Sequence, residues 1–387
     1  MLALRNISSI ISDYQRTTRG GLTDEMATIK EIAKKLGISV GTVSKGLNGA
    51  KDISDDLRKK VLNTAVELGY KKKNTETEKG RFALFIENMG FDEPEDFGYE
   101  IVSGFKKAAF ADSFDVSIIP VTPEFQKERD YDSYMLEQDF RGAFVLGFSL
   151  EDPWMSAFHG TKIPTVLLDN HIPENPYIGS VGTDCEEALD MAISHLAALG
   201  HEKIAFLNGS KGSYISDRRM LSYLRSMLSH NLPINPDLAV YGYFVREAAP
   251  YHVPTFLSLG ATAIVCGNDM IADGVIESVV SAGYKVPEDV SVIGFDDVPL
   301  ACKLSPPLTT IHQDLPELGK SGYYILKVMR EDIALSKNML RPKLIVRSST
   351  AIAKPRLALS HFSDKDSVAK VNPSLYNAFL KEGRLLT

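Results

Sequence analysis

Cysteine is scarce in this chain of 387 residues: Cys185, Cys266 and Cys302 are odd in number, far apart and without metal-ligand spacing. That excludes a disulfide-stapled secreted scaffold and reads as reduced thiols. Long apolar runs are missing too, since no stretch approaches the roughly 18 residues a membrane-spanning helix needs. The mildly apolar start, Met1 to Ile11, is broken by Arg5, Asn6, Ser8 and Ser9, and no small-residue cleavage site follows. A cytoplasmic protein is expected. The catalytic signatures are absent as well. GSKGS at Gly209 to Ser213 has neither the length nor the Lys-Ser ending of a P-loop, and no G-x-G-x-x-G follows a strand. His159, His171, His195 and His201 show no metal spacing, and no serine sits in a nucleophile elbow. No catalytic set, metal or cofactor is expected.

Charge is present but unevenly placed. Residues 26 to 73 carry eleven basic against five acidic side chains, a surplus of six, while the whole chain has a net charge of −7. A small basic module is therefore joined to an acidic body, the electrostatic outline of a nucleic-acid-binding head. A solvated lysine face is the plainer alternative on charge alone.

From Thr28 the sequence runs TIKEIAKKLGISVGTVSKGLNG. Thr28 and Glu31 have capping-box spacing, and Ile29, Ile32, Ala33 and Leu36 make one apolar helical face before Gly37. Ser39 caps a second helix carrying Val43 and Leu47, so two short helices are joined by a glycine-containing turn. A third helix starts at Ser54, has Asp55 and Asp56 in its first turn, buries Leu57, Val61, Ala65 and Leu68, and stops at Gly69. This is helix-turn-helix geometry. Its second helix enters the major groove and its N-terminal side chains meet base edges, which nominates Val40, Gly41 and Lys45. Ser39, Thr42, Ser44 and Asn48, with Thr28 ahead of them, suit phosphate positioning or helix capping.

The run from Ala27 to Tyr70, with SVGTVSKGLNG and ISDDLRKKVLNTAVELGY, resembles the head of the LacI/GalR family of repressors. Beyond residue 81, strand-length apolar runs (FALFI, VSIIP, GAFVLG, PTVLLD, KIAFLNG, TAIVCG, VSVIGFD) alternate with helical patterns, the rhythm of doubly wound parallel sheets. About 270 residues suit two lobes, with LTTIHQD and KLIVRSS as crossovers between them. Local likeness to the family's body extends to about Ala351. The fold expected is thus a small all-α head on a two-lobed, periplasmic-binding-protein-like α/β body. The segments are a leader (1–25), which follows from Met26-Ala-Thr-Ile-Lys looking like the family's usual start, the head (26–70), a basic linker (71–81), the effector-binding and dimerisation body (82–352) and a C-terminal extension (353–387).

The resemblance implies effector contacts from Asp169, Arg219, Asn268 and Asp296, each where a strand ends or a helix begins, with Phe244 or Phe97 covering an apolar sugar face. Carboxylates accept from vicinal hydroxyls and a guanidinium presents a fork of donors. Each residue also has a plainer role: Asp169 and Asp296 as turn caps, Arg219 in an ion pair with Asp217 or Glu247, Phe244 and Phe97 as core. The chain departs from the family at Ser222, where glycine is usual, and at Gly98, where an aromatic is usual. In its linker, KKKNTETEKGR, the apolar wedge of the family's hinge helix is missing, so the operator is expected to stay close to straight. The function read from this is a homodimeric repressor of a carbohydrate-utilisation operon that binds a near-palindromic operator under control of a sugar. A solute-binding protein, which needs an export signal and no basic head, and a sugar-acting enzyme are the alternatives.

Overall fold

The computed structural model describes residues 27–50, 52–70, 80–331 and 333–354. The expectations for residues 1–25, for linker positions 71–79 and for the tail beyond 354 lie outside the described residues. Backbone contacts divide the chain into two compact units, one made of the N-terminal head together with residues 132–139 and the other of the rest of the body.

The head is built on α1 (Ile29–Leu36), α2 (Val40–Leu47) and α3 (Asp55–Glu67). All three N-termini are capped as the sequence predicts. Thr28 and Glu31 form the reciprocal capping box, and Ser39 Oγ and Ser54 Oγ accept from the Thr42 and Leu57 amides at 3.0 and 3.3 Å. Ile32, Val43, Leu47, Val61 and Ala65 close the core. One element of that core is not visible as an apolar pattern: a Cβ on Gly46 would stand 2.9 Å from Val61 Cγ1, so α2 and α3 approach as closely as they do because position 46 has no side chain.

The body carries twelve described strands: β1 (Arg81–Ile86), β2 (Asp115–Pro120), β3 (Phe140–Leu146), β4 (Thr165–Leu168), β5 (Ile178–Thr183), β6 (Ile204–Ser210), β7 (Ala239–Gly242), β8 (Ala263–Cys266), β9 (Ser291–Asp296), β10 (Thr309–His312), β11 (Lys337–Leu340) and β12 (Lys343–Ile345). They form two six-stranded sheets, ordered β11-β5-β4-β3-β1-β2 and β12-β10-β9-β8-β6-β7. Every pairing is parallel except β12 against β10. The intervening helices are α4 (Phe97–Ala111), α5 (Pro123–Glu128), α6 (Tyr131–Glu137), α7 (Pro153–Ala157), α8 (Cys185–Ala198), α9 (Tyr214–Ser229), α10 (Ala249–Ser258), α11 (Asp269–Ser281), α12 (Leu300–Lys303) and α13 (Leu315–Met329).

The chain passes between lobes three times. It leaves the first sheet after β5, returns after β10 through α13, whose Leu318, Tyr323 and Leu326 pack into the first-lobe core, and leaves again between β11 and β12. The late strands therefore are crossovers. Strands β5, β7 and β11 escape the search for apolar runs. In β5 (IGSVGT) the small residues allow close approach: a Cβ on Gly179 would meet Ile325 Cγ2 at 2.6 Å, and one on Gly182 would meet Asp169 Oδ1 at 2.5 Å. No helix among the described residues is long and apolar enough to cross a membrane.

Candidate DNA-reading helix and effector cleft

On the head, burying Val43, Gly46 and Leu47 leaves the opposite face of α2 outward, where Val40, Gly41, Lys45 and Asn48 are all exposed. Val40 keeps 46% of its surface accessible. Ser39 is engaged as the cap, its Oγ also 2.9 Å from Thr42 Oγ1, and Asn48 Nδ2 donates to Ser44 Oγ at 3.4 Å. The hydroxyls are thus tied to helix termini, as their residue types suggest. Lys45 differs from the expectation in place and company. It sits in the last turn of α2, not the first, and is ion-paired to Asp52, an exposed pair whose lysine holds the Asp52 carboxyl below its ordinary range. An exposed pair of this kind is worth at most about 1 kcal/mol and is readily exchanged for another acceptor.

In the body, the nominated residues lie at the carboxyl ends of strands, where open α/β sheets bind ligands. Asp169 follows β4 with φ +51°, its amide donating to Val181 O at 2.8 Å. Asp296 closes β9 with φ +110° and Asp297 follows at +60°. Left-handed backbone at an aspartate before another costs energy that the surrounding sheet must hold, a feature concentrated at binding sites. Both residues are therefore turn residues.

Arg219 is 4% exposed, its Nη1 donating to Gly267 O at 2.5 Å and its guanidinium 3.8 Å from the centre of the Phe295 ring. It pairs with neither Asp217, which accepts from Tyr241 Oη at 2.8 Å, nor Glu247. Burial raises Asp169 to about 6, with Arg219 pulling the other way. Burial likewise raises Asp296 to about 7, opposed by Arg219 and by Gln313, and reinforced by Asp169. The two acids and the arginine thus form one electrostatic set. Asn268 caps α11 by accepting from the Ile271 amide at 2.8 Å and donates to Phe244 O at 3.3 Å. The Phe244 ring rests on Gly209, where a Cβ would come within 2.1 Å of it. Phe97 stands apart: it opens α4 and packs half-buried on the edge of the first-lobe core. Gly98 beside it could not carry the family's aromatic without moving the Gly90 carbonyl, 2.6 Å from its Cβ position.

Two members of this cleft are missing from the sequence reading. Gln313, 2% exposed, donates to Asp296 Oδ1 at 2.7 Å and leaves its own Oε1 without a partner. Asp269, fully buried, accepts from Thr310 Oγ1 at 2.6 Å and the Val298 amide at 3.0 Å, and burial together with Asp296 pushes its carboxyl well up. The signal was available in IHQD and GND, polar pairs directly after apolar strands. Among the described residues, buried side-chain atoms without a partner gather on Asp169, Asn170, His171, Thr183, Ser216, Arg219 and Gln313, whereas a random scatter would spread them over the fold.

Residues 28–73 match the bacterial regulatory proteins of the lacI family, and residues 193–350 match the periplasmic binding protein-like domain. The chain belongs to the LacI/GalR family of DNA-binding transcriptional repressors. It is 29% identical over 337 residues to the HTH-type transcriptional repressor PurR of Vibrio campbellii (strain ATCC BAA-1116), covering 84% of this chain and 98% of that one. Its fold is similar to that of the transcriptional regulator CelR in complex with cellobiose (TM-score 0.63, 23% identity, 84% and 99% of the two chains). It is also similar to the lac repressor dimer bound to operator and an anti-inducer (TM-score 0.62, 23% identity, 84% and 99%). These relatives are regulators, not enzymes, and the chain is a regulator with them.

Proposed function

We propose that this repressor acts in the cytoplasm as a homodimer on a near-palindromic operator of a carbohydrate-utilisation operon, and that a sugar or sugar derivative held between the lobes of the body controls its grip. The observation that carries the effector half is the gathering of partnerless buried polar atoms in the cleft. Each such atom costs roughly 1 to 3 kcal/mol while unpaired. A polyhydroxylated ligand answers several of them together: its hydroxyls donate to Asp169 Oδ1 and Gln313 Oε1 and accept from Arg219 Nε, while Asp296 and Asn268 stand beside them as further partners and the Phe244 ring covers an apolar sugar face. The cellobiose in the CelR complex supports a carbohydrate. On the DNA side, Val40, Gly41 and Lys45 read base edges, while Thr28, Ser39, Thr42, Ser44 and Asn48 fix the register on the backbone. Ligand then biases two lobe arrangements that differ in operator affinity.

The test is a thermal-shift screen of sugars, glycosides and nucleosides, followed by operator gel shifts with each hit. A ligand that binds only the native state raises the melting temperature by mass action. A sugar that both stabilises the protein and changes operator affinity is the expected result. Nucleoside hits without sugar hits would replace the carbohydrate by a heterocycle stacked on Phe244.

A further inference from the structure

Beside the Asp169, Arg219 and Asp296 set, three bases from three separate elements gather without an ion pair among the described residues. Lys337 opens β11 in register with Ser180 of β5, and Ser180 Oγ donates to the Asn170 carbonyl, fastening the loop after β4 next to it. The following residue, His171, turns its ring toward Tyr214, centroids 6.3 Å apart, and Arg218 stands one turn beyond Tyr214 on α9. The three bases feel one another. After burial, Lys337 and Arg218 are what hold His171 below its ordinary value, and Arg218 also holds Lys337 down.

Bringing like charges together in a fold is unfavourable unless something of opposite charge offsets it. Among the described residues no carboxylate forms an ion pair with any of the three: Asp217 accepts from Tyr241 Oη, and Asp169 lies in the field of Arg219. Donors point the same way. His171 Nδ1 is buried without a partner, and so are the hydroxyls of Thr183 and Ser216, in side chains only 3% and 0% exposed, on β5, which pairs with the strand of Lys337, and on α9, which carries Arg218. Arg218 and His171 are themselves partly covered, and Lys337 at the edge of the cluster is exposed.

We infer that His171, Arg218 and Lys337 form an anion subsite continuous with the effector cleft, and that the effector carries a phosphate monoester on its sugar. A phosphate brings close to two negative charges and three acceptor oxygens. The Arg218 fork takes two of them, Lys337 supplies a point charge, and the His171 ring donates to the third. This deepens the carbohydrate reading above and rests on it for the sugar half; the anion half rests on the three bases alone.

Isothermal titration of the full chain at fixed ionic strength separates the two halves. The probes are inorganic phosphate and matched pairs, glucose with glucose 6-phosphate and ribose with ribose 5-phosphate. Inorganic phosphate is expected to bind the wild type, and Arg218→Ser with Lys337→Ser to weaken it at least about tenfold, a difference of about 1.4 kcal/mol. The sugar phosphate of the recognised pair should bind at least about tenfold more tightly than its neutral partner and lose that advantage in the double variant, while the neutral sugar binds both alike. Circular dichroism confirms that the variant is folded. Phosphate binding equal in wild type and double variant would overturn the anion subsite and leave the sugar cleft standing. A neutral sugar bound as tightly as its phosphate would overturn the phosphorylated effector in the same way. Phosphate bound through Arg218 and Lys337, with no sugar phosphate altering operator binding, would identify free phosphate as the ligand and overturn the effector assignment itself.

Discussion

Glu31 and Asp52 of the head are exposed, bonded to Thr28 and Lys45, and held below the ordinary carboxylate range, whereas in the body the half-buried Asp169 and the buried Asp296 and Glu87 are pushed up to about 6, 7 and 7. The head meets nearly all of its own polar requirements: each described helix start has its cap, and among its described residues Arg58 Nε alone is buried without a partner. The cleft leaves donors and acceptors buried and unmet. A DNA-reading surface works by contact with a partner that brings its own charge, so the head can be complete before binding. A site that must distinguish one small molecule from another has to keep its polar groups dry and unspent, at a cost in stability. The contrast is therefore between a finished surface and a site held in waiting.

The largest effect should follow from emptying the centre of the cleft. Arg219→Ala removes the cation that opposes burial at Asp169 and Asp296, so both carboxyls should rise further, and the ligand loses its charged donor. Effector affinity should fall roughly 100-fold or more, equivalent to about 3 kcal/mol. Operator binding without effector should persist. Titration calorimetry with the strongest thermal-shift hit reads this, and unchanged affinity would remove Arg219 from the site.

Next is a buried acid away from the nominated set. Glu87 is 8% exposed after β1, accepts from Gln126 Nε2, and is raised by burial first and then by Asp152. Its folded value of about 7 lies above the unfolded 4.5, so its protonated form stabilises the fold fully below about 4.5, and that contribution is lost as pH rises through 7. Wild-type stability should thus decline between about pH 5 and 8, with Asp169 and Asp296 acting in the same direction. Glu87→Gln should raise stability at pH 8 by about 1 to 3 kcal/mol and flatten the slope. Denaturant melts at pH 5 and 8 check it; a variant less stable than wild type at pH 8 would mean that the ionised carboxylate is the form the fold needs.

How much of this was legible depends on whether the signal is local. The head could be read almost residue by residue, because capping boxes, glycine stops and the 3.6-residue apolar period are short-range features. Strands rich in Val, Ile and Phe were equally visible. Strands β5 and β11 were not, since IGSVGT and KNML owe their place to neighbours distant in sequence, Ile325 and Asp169 for the first and the pairing with β5 for the second. The cleft was half legible. Asp169, Arg219, Asn268 and Asp296 came from resemblance, while Gln313 and Asp269 needed the fold to show that polar residues after different strands converge. Gly46 makes the same point within the head. A small residue in a helix reads as a weak spot, yet here it sets the distance between α2 and α3. Gly46→Ala should destabilise the head by about 1 to 3 kcal/mol through overpacking against Val61. Val61→Ala in the same chain should recover part of that loss, as a thermodynamic cycle on the two sites would show.

The smallest effect probes the surface side of the comparison. Lys45 and Asp52 form an exposed pair in the absence of DNA, with 54% and 58% of their side chains accessible. If Lys45 donates to a guanine edge on the operator, the pair must open first, and Asp52 also stands as a like charge to the approaching phosphates. Asp52→Asn removes both obstacles, yet an exposed pair contributes no more than about 1 kcal/mol. Thermal stability should therefore change by less than that, and operator affinity should increase a few-fold, more at low salt than at high salt. Lys45→Ala should weaken operator binding by about 1 to 3 kcal/mol and relax preference at one base pair in each half-site, while Lys34→Ala weakens all sequences alike. In the double variant Asp52→Asn with Lys45→Ala, the gain from Asp52→Asn should shrink to the salt-dependent part, because no lysine remains to be released. A full gain in the double variant would show that Asp52 acts on the phosphates alone, and would take Lys45 out of the base-reading set.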